Sequence, residues 1–473
     1  MPSEITSSIV AAMSKKRRIP EGGSVFTWSA IKAVMLLACG GGNRAGRTGQ
    51  ACKISSFIAR IILVSVRVCC RVRGPDRPHY HRFPARKQVC TRRERRQVMY
   101  TSGMRPAQLY SNWAEIDLGA IESNVRFFAG YTAARVMAVV KANAYGHGAV
   151  PVAQTALRAG ATWCGVAQAE EALELRRAGL HCPILLLGFA PPTRLAELIS
   201  ERVSLTVWEA GQLHKAAAAA QDSGQPARLH LKVDTGMGRV GVSPERAAAL
   251  AHSLTDTDGL QFEGLLTHFA RADEKDLGPT LQQERRFRDV LDALEARGLR
   301  PGLVHAANSA ATLVRPHAHF DMVRIGIAMY GLDPSVDCPC PGELRPALAW
   351  KSQLTHVKAV PKGSGLSYGH EYITSGEETI GTVPAGYADG YRRAGEKVAL
   401  VGGERVPVLG RVCMDQFLVR LDDVTGAVVG DEVVLLGQQG QARLPAEELA
   451  LRWGTINYDL VCSIGARVPR VHL

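Results

Sequence analysis

The sequence predicts a closed parallel (β/α)8 barrel of the TIM type, followed by a second, mostly β domain. Three observations predict it. From Trp113 onward, short apolar runs of strand length alternate with longer amphipathic segments. Eight such runs fall within about two hundred residues, the number that closes a barrel. After Pro346 the rhythm changes, and one strand-like run follows another. An open doubly wound sheet is the competing architecture, but no Gly-x-Gly-x-x-Gly turn follows the first run.

The eight barrel runs are Val136–Val140, Trp163–Val166, Ile184–Leu187, Leu205–Trp208, Leu229–Val233, Phe262–Thr267, Leu303–His305 and Met322–Ile325. Most are apolar without alternation, as strands covered on both faces require. Between them, Ile121–Ala129, Gln168–Ala178, Glu209–Ala220 and Leu281–Ala296 are expected helices. The last spaces Phe287, Val290, Leu291 and Leu294 along one helical face. In the second domain the strand-like runs are Leu348–Val360, Thr379–Pro384, Val398–Val401, Val406–Val412, Phe417–Leu421 and Val428–Leu436. Gly402-Gly403 makes a tight turn between two of them. One short helix, Pro445–Trp453, precedes a last run, Ile456–Val471. The expected domain limits are a leader at 1–104, the barrel at 105–342 and the β domain at 343–473.

Charge separates the leader from the body. Residues 1–104 carry 20 Lys+Arg against 4 Asp+Glu, whereas the remaining 369 carry 37 against 40. The basic balance therefore gives the body no nucleic-acid role. Lys15-Lys16-Arg17-Arg18 ahead of Ala30–Cys39 resembles an export signal with a lipidated cysteine. Pro20-Glu21-Gly22-Gly23 and Lys32 interrupt that pattern, and Arg60 and Arg67 break the second apolar patch, Ile54–Val68. The leader reads instead as an unstructured extension, or as sequence upstream of a start at Met99 or Met104. Eleven cysteines, an odd number without even spacing, make no disulfide framework, and Cys338-Pro-Cys340 lacks a second ligand pair for zinc. The body is expected to be reduced and cytoplasmic, without a metal, a membrane partner or a nucleic-acid partner.

In such a barrel the chemistry sits at the carboxyl ends of the strands. Lys141 and Tyr145 follow the first run, and Asp234 to Arg239 follow the fifth. His268 follows the sixth, Asn308-Ser309 the seventh, and Arg324-Ile325-Gly326-Ile327 close the eighth. A lysine packed at a strand end has a lowered pKa and can attack a carbonyl. Taken alone, it is more ordinarily a solvent-facing side chain, and His268 alone a satisfied barrel histidine. Ser309 and Gly326-Ile327 occupy the place where these barrels bind a phosphate. A carbonyl-binding lysine facing a phosphate site suggests pyridoxal 5'-phosphate.

From about Trp113 to the C-terminus the chain resembles the bacterial alanine racemases. The likeness rests on eight segments in order: 141–148 (Lys-Ala-Asn-Ala-Tyr-Gly-His-Gly), 232–239, 305–311, 324–331, 367–369, 386–390, 413–416 and 455–458. It implies that Lys141 holds the cofactor as an internal aldimine and serves as one base. Tyr368, supplied by the partner subunit, is then the opposite base, assisted through His268 and Arg324. An ordinary phenol titrates near 10, so it needs such help. Arg324 would leave the pyridine nitrogen unprotonated, favouring racemisation over transamination. Tyr145, Ser309, Gly326, Ile327 and Tyr458 match phosphate ligands, with Asn308 beside them. Arg239 matches the contact to the cofactor's phenolic oxygen and the substrate carboxylate, Met414 a backbone donor to that carboxylate, and Lys232 a lysine carbamylated in some members. Tyr387, Arg393, Arg411 and Asp415 are expected at the entrance, where Tyr368, Tyr458 and Tyr387 leave room for a methyl group. The implied activity is interconversion of L- and D-alanine by a two-base mechanism in a head-to-tail homodimer, supplying D-alanine for peptidoglycan. The alternatives are an exported, broad-specificity amino-acid racemase and a non-catalytic pyridoxal-phosphate carrier, which would lack the β domain.

Overall fold

A computed structural model describes residues 106–393 and 395–473. The expected leader lies outside the described residues. Strands are numbered in chain order, beginning with β1 (Asn112–Ile116). The barrel follows as β2 (Arg135–Val139), β3 (Trp163–Val166), β4 (Ile184–Leu186), β5 (Val203–Val207), β6 (Ala227–Lys232), β7 (Leu260–Leu266), β8 (Leu303–His305) and β9 (Met322–Ile325). All neighbours are parallel in the order β8-β7-β6-β5-β4-β3-β2-β9. The β8–β9 seam closes through two backbone hydrogen bonds, Asp321 N to Val304 O (2.9 Å) and Arg324 N to Ala307 O (3.0 Å). Strands β3, β5 and β9 are buried along their whole length, as strands covered on both faces are.

The helices pack outside. Leu118–Tyr131 begins at Asp117, whose carboxylate accepts from Ala120 N at 2.8 Å and satisfies one free donor of the first turn. Gly278–Glu295 buries Phe287, Val290, Leu291 and Leu294, the expected apolar face. No described helix is long and apolar enough to cross a membrane.

Downstream lie β10 (Leu348–Gln353), β11 (His356–Val360), β12 (Gly365–Leu366), β13 (Tyr372–Ile373), β14 (Glu378–Val383), β15 (Val398–Val401), β16 (Glu404–Leu409), β17 (Phe417–Arg420), β18 (Glu432–Gln439), β19 (Ala442–Leu444) and β20 (Arg470–His472). The second sheet runs β11-β14-β17-β16-β15-β18-β10-β1-β20, so β1 belongs to it. That corrects the expected barrel span of 105–342. β1 pairs antiparallel with β10 and parallel with β20. Its Asn-Trp-Ala-Glu-Ile sequence keeps two positions partly exposed, which suits a sheet with one wet face and not a barrel wall. The last run is also corrected. Asn457–Ser463 is a helix burying Leu460 and Val461, and only Arg470–His472 is strand.

Two contacts clasp this domain onto the barrel loop after β2. Arg470 Nε donates to Gly146 O at 2.9 Å, and His472 Nε2 lies 2.9 Å from His147 O. Gly331, at φ +71°, marks the crossover. A side chain there would run into the Arg345 carbonyl.

Candidate active site

Lys141 stands two residues past β2, and the chain then makes a left-handed turn. Ala142, Asn143, Ala144 and Tyr145 all lie at φ between 51° and 55°, and Gly146 at 84°. Each such L-residue costs about 1–2 kcal/mol, so tertiary contacts must hold the turn. Asn143 Oδ1 accepts from Ala149 N at 2.9 Å, and Glu171 Oε1 accepts from Ala142 N at 2.6 Å. His147 Nδ1 lies 3.0 Å from both Ala144 O and Tyr145 O. The turn folds Tyr145 back so that the Lys141 ammonium sits 5.9 Å from its ring. Burial, then Arg239, lowers the Lys141 pKa, which favours a neutral, nucleophilic amine.

Across the mouth, Ser309 Oγ accepts from Gly326 N at 2.9 Å, and Asn308 caps the short helix Ser309–Val314 by accepting from Ala311 N at 2.9 Å. A Cβ on Gly326 would lie 2.7 Å from the Tyr145 hydroxyl. The cradle between Tyr145, Ser309 and Gly326-Ile327 therefore exists because residue 326 has no side chain. Burial raises the pKa of both Tyr145 and Tyr458, whose rings stand 6.2 Å apart, so both phenols stay protonated and can donate to an anion. A phosphate fits this set of donors.

Arg324, on β9, is only 4% exposed, yet it hydrogen-bonds no carboxylate among the described residues. Its Nη1 donates to His305 Nδ1 (3.0 Å), and its Nη2 to His268 Nδ1 (3.1 Å), Thr267 O (2.9 Å) and Ala306 O (2.8 Å). Burial lowers its pKa to about 10, so it stays charged at neutral pH. Arginine only donates, so each histidine must accept at Nδ1 and carry its proton on Nε2. Burial, then Arg324 and Lys232, pushes the His268 pKa well down and keeps it neutral. Lys232 ends β6, buried near Arg239 and Arg324. Burial and these two cations bring its pKa to about 8.

The other expected residues stand apart from this pocket. Tyr368 tips the β12–β13 hairpin and is 66% exposed, and Met414 is 53% exposed. They share one surface with Tyr387, because Ser367 Oγ donates to Arg411 O (2.6 Å) and Tyr387 N to Cys413 O (3.1 Å). Arg411 pairs with Glu371, and Asp415 with Arg467 at 2.7 Å. Among the described residues no hydrogen bond or ring contact ties Tyr368 to the mouth of its own barrel. No three His, Cys, Asp or Glu side chains there converge on a metal site either.

Sequence reasoning gave no role to His230, Glu263 or His305, which continue inward from Arg324. His305 Nε2 lies 2.9 Å from His230 Nδ1, and His230 Nε2 lies 3.1 Å from Glu263 Oε2. The signal was present: Glu263 is a charged residue inside a run assigned to a buried strand.

Residues 116–334 match the family model "Alanine racemase, N-terminal domain", and residues 347–472 match "Alanine racemase, C-terminal domain". The alanine racemase of Desulfovibrio desulfuricans is 46% identical over 365 residues, covering 76% of this chain and 98% of that protein. That of Desulforamulus reducens is 48% identical over 368 residues, with the same coverage. Among solved structures, the alanine racemase of Streptomyces lavendulae superposes with a TM-score of 0.74 at 42% identity, covering 77% of this chain and 97% of that one. The Bacillus anthracis enzyme with bound L-Ala-P gives 0.73 at 43%, covering 77% and 95%.

Proposed function

Because the chain belongs to the alanine racemase family, we infer that it interconverts L- and D-alanine with pyridoxal 5'-phosphate, as a homodimer whose sites draw on both subunits. One observation carries the cofactor reading. A lysine of lowered pKa stands beside a cradle lined by donors that suit a phosphate, with a buried arginine that hydrogen-bonds no carboxylate among the described residues. When bound, the cofactor supplies an electron sink for the pair left on Cα once the α-proton is gone.

This chain's residues do the rest. Lys141 would hold the cofactor through its aldehyde group, and its amine is placed to move a proton on one face of Cα. Tyr145, Ser309, Gly326, Ile327 and Tyr458 hold the phosphate, with Asn308 fixing the turn that presents Ser309. Arg324, which keeps its own proton, would face the pyridine nitrogen as a donor and would leave that nitrogen unprotonated. Arg239 meets the phenolic oxygen and the substrate carboxylate.

The opposite face belongs to Tyr368 of the partner subunit. Its exposure, and that of Met414, supports a role on a neighbouring barrel. His268 is neutral with its proton on Nε2, so it can donate to that phenol, with the Arg324 charge behind it favouring the phenolate. Lys232, at a pKa of about 8, offers enough free amine near neutrality to take up CO2. The resulting carbamate would replace a buried cation beside Arg239 with an anion. Six free thiols in the body support a reducing, cytoplasmic setting. The D-alanine formed serves the bacterial cell wall.

The test is Tyr368→Phe assayed in both directions with each enantiomer. Proton removal from L-alanine should fall by about 100-fold or more, as expected for loss of a positioned base. Solvent-isotope entry from the Lys141 face should persist. Equal rates in wild type and variant would remove Tyr368 from the mechanism.

A further inference from the structure

A single file of hydrogen bonds runs from the pocket into the barrel interior: Arg324, His305, His230, Glu263. Ser204 Oγ donates to the same Glu263 oxygen at the far end. Both imidazoles are fully buried, and the Glu263 side chain is 16% exposed. The barrel wall makes room for this file, because a side chain on Gly264 would collide with the His230 ring.

Donor and acceptor roles along the file are forced. Arg324 can only donate, so His305 Nδ1 accepts and its proton sits on Nε2. That proton points at His230 Nδ1, which must accept. The His230 proton is then on Nε2, facing Glu263. Burial opposes ionisation of Glu263, but the His230 and Ser204 hydrogen bonds and the Arg228 charge hold its carboxyl below the ordinary range. A carboxylate is an acceptor only, so it fixes one end of the file as Arg324 fixes the other. With no acceptor at 263, the His230 Nε2 proton is left buried and unpaired, because the flip that would relieve it sets a proton on His305 Nδ1 against the Arg324 guanidinium.

We propose that Glu263 is a positioning residue for the reaction, anchoring from the far end the tautomers that Arg324 imposes on His305 and His230, so that Arg324 is held in place from behind. Glu263 also supplies the anionic end of a buried file whose other end is a buried cation, so the interior carries no net charge along it. The proposal rests on the racemase reading for its kinetic consequence alone, since the tautomers are independent of the reaction.

The experiment compares wild type with Glu263→Gln and Glu263→Leu as full-chain, cofactor-loaded proteins. Histidine-selective nitrogen–proton NMR reads the tautomers, and kcat and KM are measured in both directions. Gln keeps an acceptor and loses the charge. The Nε2 protons of His230 and, through it, His305 should move upfield, with kcat about threefold lower. Leu removes the acceptor, so the unpaired His230 Nε2 proton should move further upfield than in Gln and kcat fall about tenfold, the scale of one charge-assisted hydrogen bond. KM should stay within about twofold in either variant, because Arg239 is untouched. An unmoved His305 proton in Glu263→Gln would overturn the proposal, as would shifted protons with an unchanged kcat. A wild-type protein showing this tautomer pattern but no racemisation would instead overturn the functional reading and leave the tautomer assignment standing.

Discussion

Asn143 tests whether the turn behind Lys141 really stores backbone strain. It sits at φ 55°, between Ala142 and Ala144 in the same region, and its side chain accepts from Ala149 N at 2.9 Å. Asparagine tolerates the left-handed region better than other residues with a Cβ. Asn143→Ala loses the hydrogen bond, about 1 kcal/mol, and that tolerance, about 1 kcal/mol more. Asn143→Gly loses the same hydrogen bond but adopts the conformation freely, at about 0.4–1 kcal/mol of extra unfolded-state entropy. With alanine down by about 2 kcal/mol and glycine by about 1.4–2, the glycine variant should be the more stable by up to about 0.6 kcal/mol. Urea unfolding of the cofactor-free protein at one fixed concentration measures the difference. At an ordinary helical or extended position, alanine would win by a similar margin. A more stable Asn143→Ala would refute the argument through its sign, without appeal to size.

Mixing inactive subunits examines the shared site. Equal parts of Lys141→Ala and Tyr368→Phe chains, reassociated at random, should recover about a quarter of wild-type activity, since half the dimers would each hold one intact site. No recovery above the parent variants would place both bases in one chain. Acid should destabilise the fold steeply. His147, at a pKa of about 4, and His268 and His305, held well below their ordinary value, are chiefly kept neutral by burial. The unfolded chain takes up protons below about pH 6.5 that the folded chain refuses, so stability falls with pH by about 1.4 kcal/mol per unit for each such imidazole. A flat unfolding free energy between pH 6.5 and 5 by denaturant titration would contradict their assignment as buried and neutral.

Much of the barrel could be read from the chain because its strands are short apolar runs, and the structure keeps Trp163–Val166, Leu303–His305 and Met322–Ile325 at the expected limits. Lys141, His268 and Ser309 were legible for a related reason, since each follows such a run, and Arg324 because it is a charge set inside one. The strand β1 was not. Its choice of sheet depends on partners such as Trp350, whose indole reaches Asn112 across 238 positions of sequence at 2.6 Å. The left-handed turn was hidden too, because Ala142, Ala144 and Tyr145 have no preference for it, and contacts from distant residues impose it. The inward file escaped notice because strand patterns report hydrophobicity, and a histidine pair inside a barrel leaves no period of its own.

The clasp on that turn sets an order of events during synthesis. Arg470 and His472 grip Gly146 and His147 across 324 and 325 residues of sequence. At ordinary elongation rates, roughly 15 to 65 seconds separate the appearance of the two halves. Until then the segment behind Lys141 has a conformation it disfavours and only part of what enforces it. A nascent barrel can collapse in that interval with Asn143 and Glu171 holding the turn and the clasp still missing. A chain stopped short of residue 470 would leave the translation machinery with the turn behind Lys141 unclasped.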